Sequence, residues 1–182
     1  TMFKHHFFLI EAKGVSVERA KLLAEWMQEW GYSFQFIGPD AQLSNIKKDY
    51  AENVFFGDKC SGEHAPVMAA SKALISFNEH DFPALAMGTL AVGRPVILIS
   101  TLKKWLSGVG IGFVNSFDKN ELKTAIDNII TDEVLEPQKV RAHVMEYHDI
   151  KFKAQMKRTL DKFYHEVHKG DAAHPSDCSQ CK

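Results

Sequence analysis

Short apolar runs alternate with stretches of helical periodicity along most of this 182-residue chain. The runs that predict β-strands are residues 6–10, 32–37, 53–56, 73–77, 95–99 and 112–114. Continuous apolar runs of this length are typical of strands that are buried on both faces. Strands separated by helices indicate βαβ units, which form a mostly parallel sheet with right-handed crossovers. The alternation therefore predicts an α/β fold.

Helices are predicted between and after these strands, at residues 16–31, 41–50, 63–71, 82–92, 118–130, 136–148 and 149–168. The first of them carries signals at both of its ends. Ser16 has a side chain that can cap a helix, and Gly31 is a natural helix stop. The apolar residues between them recur at helical spacing, at Ala20, Leu23, Ala24 and Met27.

About six strands with helices on both faces make a doubly wound, Rossmann-like sheet, followed here by extra helices at the carboxyl terminus. A chain of this length is expected to form one domain, which we assign to residues 1–168, with a flexible tail at 169–182. The ligand crevice of such a sheet lies beyond the carboxyl ends of the strands, where the strand order switches. We therefore look for a functional site at that edge.

Composition and charge limit the kinds of partner and compartment that are expected for this chain. The formal net charge is −1, so no overall field attracts nucleic acid or an anionic membrane. The chain lacks the roughly 20 consecutive apolar residues that a membrane-spanning helix needs, and no signal peptide is visible. Three cysteines in a chain of this size favour a reducing compartment. These features predict a cytoplasmic protein, with peripheral contact at the inner face of the membrane left open.

The strongest candidate site is the junction between the strand at 73–77 and the helix at 82–92. Pro83 stands in the first turn of that helix, where proline is favoured. The helix is almost wholly apolar, which predicts that it is buried. Its free amino-terminal N–H groups would then point at the crevice and could hold a diphosphate.

The polar loop before this helix adds side chains at the mouth of the crevice. Glu79, His80 and Asp81 could hold ribose hydroxyls or a sugar there. An ordinary polar loop, with Asp81 serving only as a helix cap, explains the same residues equally well.

The same segment is similar to the donor-site signature of the large retaining glycosyltransferase family with the GT-B fold. That signature reads Glu-Gly-Phe-Gly/Pro, a few apolar residues, a second Glu, Ala-Met-Ala, and then Gly-x-Pro-Val-Ile. When positions are counted back from Gly93, Phe82 and Pro83 fall on the Phe and the Gly/Pro, and Ala91 falls on the second Ala. The Gly-Arg-Pro-Val-Ile run that starts at Gly93 resembles its end.

Other pieces resemble the family in the same order. Lys13-Gly14 follows the first strand, as the Lys-Gly that opens the family's nucleotide-binding domain does. Gly38 follows the second strand, and residues 53–57 resemble the next strand and its turn. Residues 112–114, with Asp118 and the helix after it, resemble the segment that closes the site. The resemblance covers roughly residues 7–168.

The resemblance implies that this domain is the carboxyl-terminal half of a glycosyltransferase. Such a domain binds a nucleoside-diphosphate sugar and transfers the sugar to an acceptor. The acceptor-binding domain would be amino-terminal, in the same chain or in a separate one. Because half of the groups that position the reactants lie on that domain, this chain alone is expected to be inactive or weakly active.

The resemblance also implies roles for single residues. Lys13 would contact the diphosphate, and Glu79 and His80 would lie at the reacting sugar as the catalytic candidates. Lys59 would lie near the base or the phosphates. The donor-binding positions that the resemblance implies are Lys13, Gly14, Gly38, Lys59, Asn78, Asp81, Phe82, Pro83, Ala84, Leu85 and Gly88.

Two positions depart from the family pattern. The second Glu of the signature corresponds to Gly88, and the Arg that usually precedes the Lys-Gly pair is absent, with Glu11 in that neighbourhood. Two alternatives therefore stand beside the enzyme hypothesis. One is a non-catalytic scaffolding or regulatory domain of the same fold. The other is an unrelated flavodoxin-like binding module, for which the segment after the first strand fits poorly.

The tail carries a separate candidate site. Cys178 and Cys181 form a Cys-x-x-Cys pair, and the histidines upstream of it are His165, His168 and His174. These are ligand types that zinc prefers. A chance pair of cysteines in a polar tail explains the pattern as well. Apart from this zinc alternative, we expect no metal and no cofactor beyond the sugar donor.

Overall fold

A computed structural model describes residues 7–56, 64–77, 84–99, 108–131, 135–145, 157–158 and 160, without the side chains of residues 54–56. The chain divides into two compact units, Thr1–Met145 and Glu146–Lys182. The first unit contains all the strands and helices named below. In the second unit, the described residues 157, 158 and 160 are helical.

The first unit alternates strands and helices as the sequence predicts. Its strands are β1 (Phe7–Glu11), β2 (Ser33–Gly38), β3 (Val54–Phe56), β4 (Leu74–Ser76), β5 (Val96–Ile99) and β6 (Ile111–Val114). Its helices are α1 (Val17–Glu29), α2 (Asp40–Tyr50), α3 (His64–Ala70), α4 (Ala84–Ala91), α5 (Lys119–Thr131) and α6 (Pro137–Val144). A single 3₁₀ turn, Ala51–Asn53, joins α2 to β3.

The strands form one six-stranded sheet in the order β3-β2-β1-β4-β5-β6, and every neighbouring pair is parallel. This order is the one found in dinucleotide-binding Rossmann domains. The flavodoxin-like order, 2-1-3-4-5, is different. The predicted α/β class and its parallel, Rossmann-like sheet are therefore confirmed, and the flavodoxin-like alternative does not match the strand order.

Side chains of successive strand residues enter two separate cores. Phe8 and Ile10 of β1 pack with α1, α2 and α5 on one face of the sheet, whereas Leu9 packs with α3, α4 and α6 on the other. All three side chains are completely buried. Because both faces of the sheet are covered, the strands need continuous apolar runs. These two cores confirm the prediction of a doubly wound sheet.

The predicted ends of the first helix are confirmed. The backbone N–H of Arg19 donates to the Ser16 hydroxyl oxygen at 3.3 Å, so Ser16 is the amino-terminal cap. Gly31 has a φ of +73°, in the left-handed region that glycine accepts at low cost, and the chain turns there into β2.

The helix after β4, which the sequence predicts to be buried, is buried along one side only. In α4, Ala86, Thr89 and Leu90 are buried, but Ala84 and Ala91 are exposed. The apolar composition of this helix does not translate into complete burial because only one side of it faces the sheet. The predicted helical residues 82 and 83 lie outside the described residues, as do the tail and most of the predicted helix at 149–168.

Candidate functional site

The crevice expected from the strand order lies between β1 and β4. The chain leaves β1 toward β2 on one side, and enters β4 on the other side after crossing the sheet through α3. The register pairs Leu9 with Leu74 and Ile10 with Ile75, so the two strands end at the same edge. The loops that follow them therefore diverge toward opposite faces, which opens a crevice at this switch point.

The Lys13-Gly14 turn lies directly at this edge. Gly14 has a φ of +82°, and a Cβ atom placed on it would lie 3.3 Å from the backbone oxygen of Phe77. The turn after β1 therefore comes close to the residue that follows β4. Lys13 is exposed beside this contact. Of the predicted donor-binding residues, Lys13 and Gly14 are thus placed at the switch point.

Gly38 ends the neighbouring strand β2 and approaches the same turn. A Cβ atom on Gly38 would lie 3.1 Å from the Cβ of Ala12 and 3.4 Å from the backbone nitrogen of Lys13. A side chain at this position would push against the Lys13-Gly14 turn. Gly38 therefore lies with Lys13 and Gly14 at one edge of the sheet.

Helix α4 forms the other wall of the crevice between β1 and β4. It begins at Ala84, eight residues after the end of β4, and its first residue is exposed. The Thr89 hydroxyl donates to the backbone oxygen of Leu85 at 2.8 Å, so it is satisfied inside the helix. Because α4 follows β4 in a right-handed crossover, its amino terminus lies at the carboxyl edge of the sheet. Ala84 and Leu85 are therefore on the same edge as Lys13.

Gly88 lies one turn further along α4, where the helix packs against α3. A Cβ atom on Gly88 would lie 3.3 Å from the terminal methyl of Met68 and 3.5 Å from its sulfur. The half-buried backbone of Gly88 thus faces Met68, and a longer side chain there would need the flexible end of Met68 to move.

A buried hydrogen-bonded pair of side chains beneath this edge, Glu11 and Ser76, was not predicted from the sequence. Glu11 is 2% exposed and Ser76 is completely buried. The Ser76 hydroxyl donates to a carboxylate oxygen of Glu11. Burial raises the pKa of Glu11, while the Ser76 hydrogen bond and the charge of Lys13 oppose that rise. A glutamate directly follows the apolar run of the first strand, but the sequence around it does not indicate its burial or its partner.

The remaining predicted site residues lie outside the described residues. They are Lys59, Asn78, Glu79, His80, Asp81, Phe82 and Pro83 at the crevice, and Cys178 and Cys181 in the tail. Among the described residues, no group of three or more His, Cys, Asp or Glu side chains could hold a metal ion. No helix in the described part of the chain is both long enough and apolar enough to span a bilayer.

Comparisons with solved structures find the same fold in glycosyltransferases. HepE of Anabaena, in complex with UDP and glucose, superposes with a TM-score of 0.59 at 15% identity, over 88% of this chain and 49% of its own. Sucrose-phosphate synthase from Thermosynechococcus elongatus gives 0.59 at 18% identity, over 86% and 46%. TarM gives 0.60 at 13% identity, over 88% and 36%. No protein-family model and no curated protein matches the sequence.

These likenesses show that the chain has the Rossmann-like fold of GT-B glycosyltransferases, as the sequence predicted. The chain spans about half the length of the first two solved structures and about a third of the last. At these identities the likeness concerns the fold alone.

Proposed function

We propose that this domain binds a nucleoside-diphosphate sugar at the β1–β4 switch point and serves as the donor-binding half of a glycosyltransferase. An acceptor-binding domain, in the same or a separate chain, would complete the enzyme. The observation that carries the proposal is the convergence of two features at one edge of the sheet. They are the exposed Lys13 on its glycine turn and the amino terminus of α4.

This convergence suits a diphosphate. Lys13 supplies a compact positive charge, and the first N–H groups of α4 have no partner within the helix. A helix amino terminus carries a partial positive charge that favours phosphate oxygens. HepE, which shares the fold, binds UDP and glucose in its solved structure. The nucleotide in that structure is the reason for choosing UDP as the first ligand to test.

The same groups would assist the chemistry. When the sugar leaves its donor, negative charge builds up on the departing diphosphate. Lys13 and the amides of Ala84 and Leu85 would stabilise that charge, because they are held in place before the reaction starts. Glu79 and His80, which precede α4 in the chain, are proposed to lie at the sugar. Gly14 and Gly38 would let the backbone approach the ligand closely.

Isothermal titration calorimetry with UDP, GDP and ADP tests the proposal. We expect one nucleotide to bind with a dissociation constant of about 1 mM or lower, and Lys13→Ala to weaken it about tenfold, which corresponds to roughly 1.4 kcal/mol. Lys48→Ala is the matched control, because Lys48 is an exposed lysine on α2, away from the Lys13 turn. If all three nucleotides fail to bind, or bind Lys13→Ala as tightly as the wild type, the proposed site is wrong.

Two observations favour a second candidate, a non-catalytic domain of the same fold. The carboxyl of Glu11 is buried under the edge where the diphosphate would lie, and an ionised carboxylate there repels phosphate. Gly88 also stands where the resembling family has a glutamate. A scaffolding domain predicts that neither the wild type nor Glu11→Gln binds any nucleotide, whereas the donor-site proposal predicts at least equal binding by Glu11→Gln.

A further inference from the structure

A second cleft, of about 860 Å³, lies along the outer edge of β6. Among the strands that the structure describes, β6 is the last of the sheet, and its one neighbouring strand is β5. The cleft is lined by β6 and by one side of α5, and Leu135 and Lys139 close it at the start of α6. Since β4 and β5 separate β6 from β1, this cleft is distinct from the switch point.

Glycines let the two flanking helices approach β6 closely. A Cβ atom on Gly110 would lie 2.9 Å from the Val140 side chain of α6, and one on Gly112 would lie 3.4 Å from Ile129 of α5. The edge of β6 is therefore recessed between walls formed by α5 and α6.

The free edge of β6 presents backbone hydrogen-bonding groups to this cleft. The Val96 N–H donates to the Gly110 oxygen at 2.7 Å, and the register pairs Val96 with Ile111. In a parallel ladder, alternate residues direct their backbone groups to the same neighbour. Gly110 and Gly112 therefore face β5. The carbonyl of Ile111, and both backbone groups of Phe113, face the cleft and can pair with an added strand.

Polar side chains of α5 also line the cleft. Asn120, Thr124 and Asn128 are spaced four residues apart, so they lie in one row along the helix, and all three line the cleft. All three side chains are exposed, and a carboxamide both donates and accepts, so Asn120 and Asn128 offer hydrogen-bonding groups to a peptide at the rim of the cleft.

Two charged residues of opposite sign mark the ends of the cleft. Glu121 stands in the first turn of α5, which follows the carboxyl end of β6. Lys139 is adjacent to Val140, which contacts Gly110 at the amino end of β6. Lys139 also pairs with Glu136 at 3.7 Å, but both side chains are more than half exposed, so this pair is weak.

We propose that the edge of β6 binds an extended peptide segment of another protein, which adds to the sheet as an antiparallel strand. With this direction proposed, the two charged residues of the cleft predict the order of charges in the peptide. A basic residue toward the amino end of the peptide would meet Glu121, and an acidic residue toward its carboxyl end would meet Lys139. This is β-strand addition, in which backbone pairing gives affinity and side chains give specificity.

A second copy of this chain fits the edge less well. Edge-to-edge dimers need two strands that project far enough to meet. Here residues of α5 and Lys139 of α6 line the cleft beside β6, so we expect the helices of two copies to meet before their strands could pair. A single extended segment has no such walls and can enter the cleft.

Peptide display against the full chain tests the proposal. The probe is a library of random heptapeptides, and binding of selected peptides is then measured by fluorescence anisotropy. We expect selected peptides to carry a basic residue nearer the amino end and an acidic residue nearer the carboxyl end. Methylation of alternate backbone nitrogens in such a peptide should weaken binding at least tenfold, because it removes the N–H groups that face β6.

Two variants of α5 locate the site. Thr124→Arg places a long side chain in the middle of the cleft, and should weaken binding at least tenfold. Ile130→Arg is the matched control: Ile130 is 42% exposed on the same helix and does not line the cleft. Far-ultraviolet circular dichroism of both variants checks that they fold.

The proposal is overturned if no peptide is enriched, if Thr124→Arg binds like Ile130→Arg, or if the selected charge order is reversed. Sedimentation showing a dimer that Thr124→Arg dissociates would favour the second copy instead.

Discussion

The Glu11–Ser76 pair joins the ends of the two strands that flank the switch point. Both side chains are buried, and they point to the face covered by α3 and α4, together with Leu9 and Leu74. A buried carboxyl group is stable in its neutral form, which explains why its pKa is raised. A protonated Glu11 would also remove the charge that opposes a diphosphate nearby. The protonation state of one residue therefore affects both the fold and the proposed site.

Glu11 should make the stability of the domain depend on pH. Its ordinary pKa is 4.5 and its pKa in the fold is higher, so the native state keeps a proton that the unfolded chain has released. This contribution is complete below pH 4.5 and is lost as pH rises through the native pKa. Glu11→Gln should therefore gain stability over the wild type as pH rises from 5 to 8, measured by urea unfolding. Exposed Glu52→Gln is the control; a wild-type advantage that grows with pH would contradict this account.

Substitution of two glycines with positive φ distinguishes the cost of backbone strain from the cost of steric contact. Gly31 (φ +73°) and Gly110 (φ +82°) share one conformation, but a Cβ on Gly31 would meet nothing within 4 Å, whereas one on Gly110 would lie 2.9 Å from Val140. Gly31→Ala should cost about 1–2 kcal/mol of unfolding free energy from the left-handed conformation alone. Gly110→Ala should cost roughly 1–3 kcal/mol more, because it overpacks the contact with α6. Chemical denaturation measures both costs. Equal costs would contradict this prediction, because they would mean that α6 moves away from the added methyl group without strain.

At the scale of elements, the sequence predicts the order of strands and helices because apolar periodicity and end signals agree. The predicted strand at 95–99 begins one residue before β5, and the predicted helix at 118–130 differs from α5 by one residue at each end. The extension of β1 to Glu11 could not be predicted, since a charged residue in a strand is tolerated here through a partner, Ser76, that is 65 residues away in the chain. Long-range partners of this kind leave no local periodic signal.

The start of α5 provides a test of local capping. One carboxylate oxygen of Asp118 accepts hydrogen bonds from the backbone N–H groups of Asn120 and Glu121, both at 2.9 Å. Asp118→Ala should lower the free energy of unfolding by about 1 kcal/mol, and Asp118→Asn should restore most of it, because an amide oxygen also caps. Ser16→Ala, which removes a single 3.3 Å cap bond at α1, should cost less. Urea denaturation of the three variants would refute this order if Ser16→Ala were the most damaging.

At the scale of the whole molecule, the strand order brings two separate motifs together at one candidate site. The Lys13-Gly14 turn and the start of α4 are about 70 residues apart in sequence, and they share one edge because β4 inserts beside β1 rather than beside β3. The resemblance to the glycosyltransferase signature predicted that these two segments belong together. The contact of Gly14 with Phe77 depends on the register of β1 and β4, so it could not be predicted from either motif alone.

The proposed nucleotide site lies at the middle of the sheet. This position predicts how a bound nucleotide should affect the stability of the whole domain. A ligand that bridges the loops after β1 and β4 binds only when the middle of the sheet is folded, so it should slow global unfolding rather than a local opening. At a UDP concentration of 100 times its dissociation constant, we expect about 2.7 kcal/mol of added stability. Hydrogen exchange should then slow in Leu9 and Ile75 at the sheet centre by the same factor as in the slowest amides of the domain. At the same UDP concentration the gain should fall to about 1.4 kcal/mol in Lys13→Ala, because its dissociation constant is expected to be about tenfold higher, and it should persist in Lys48→Ala. Protection confined to α5 and β6 would instead locate the nucleotide in the outer cleft, and would contradict a donor site at the switch point.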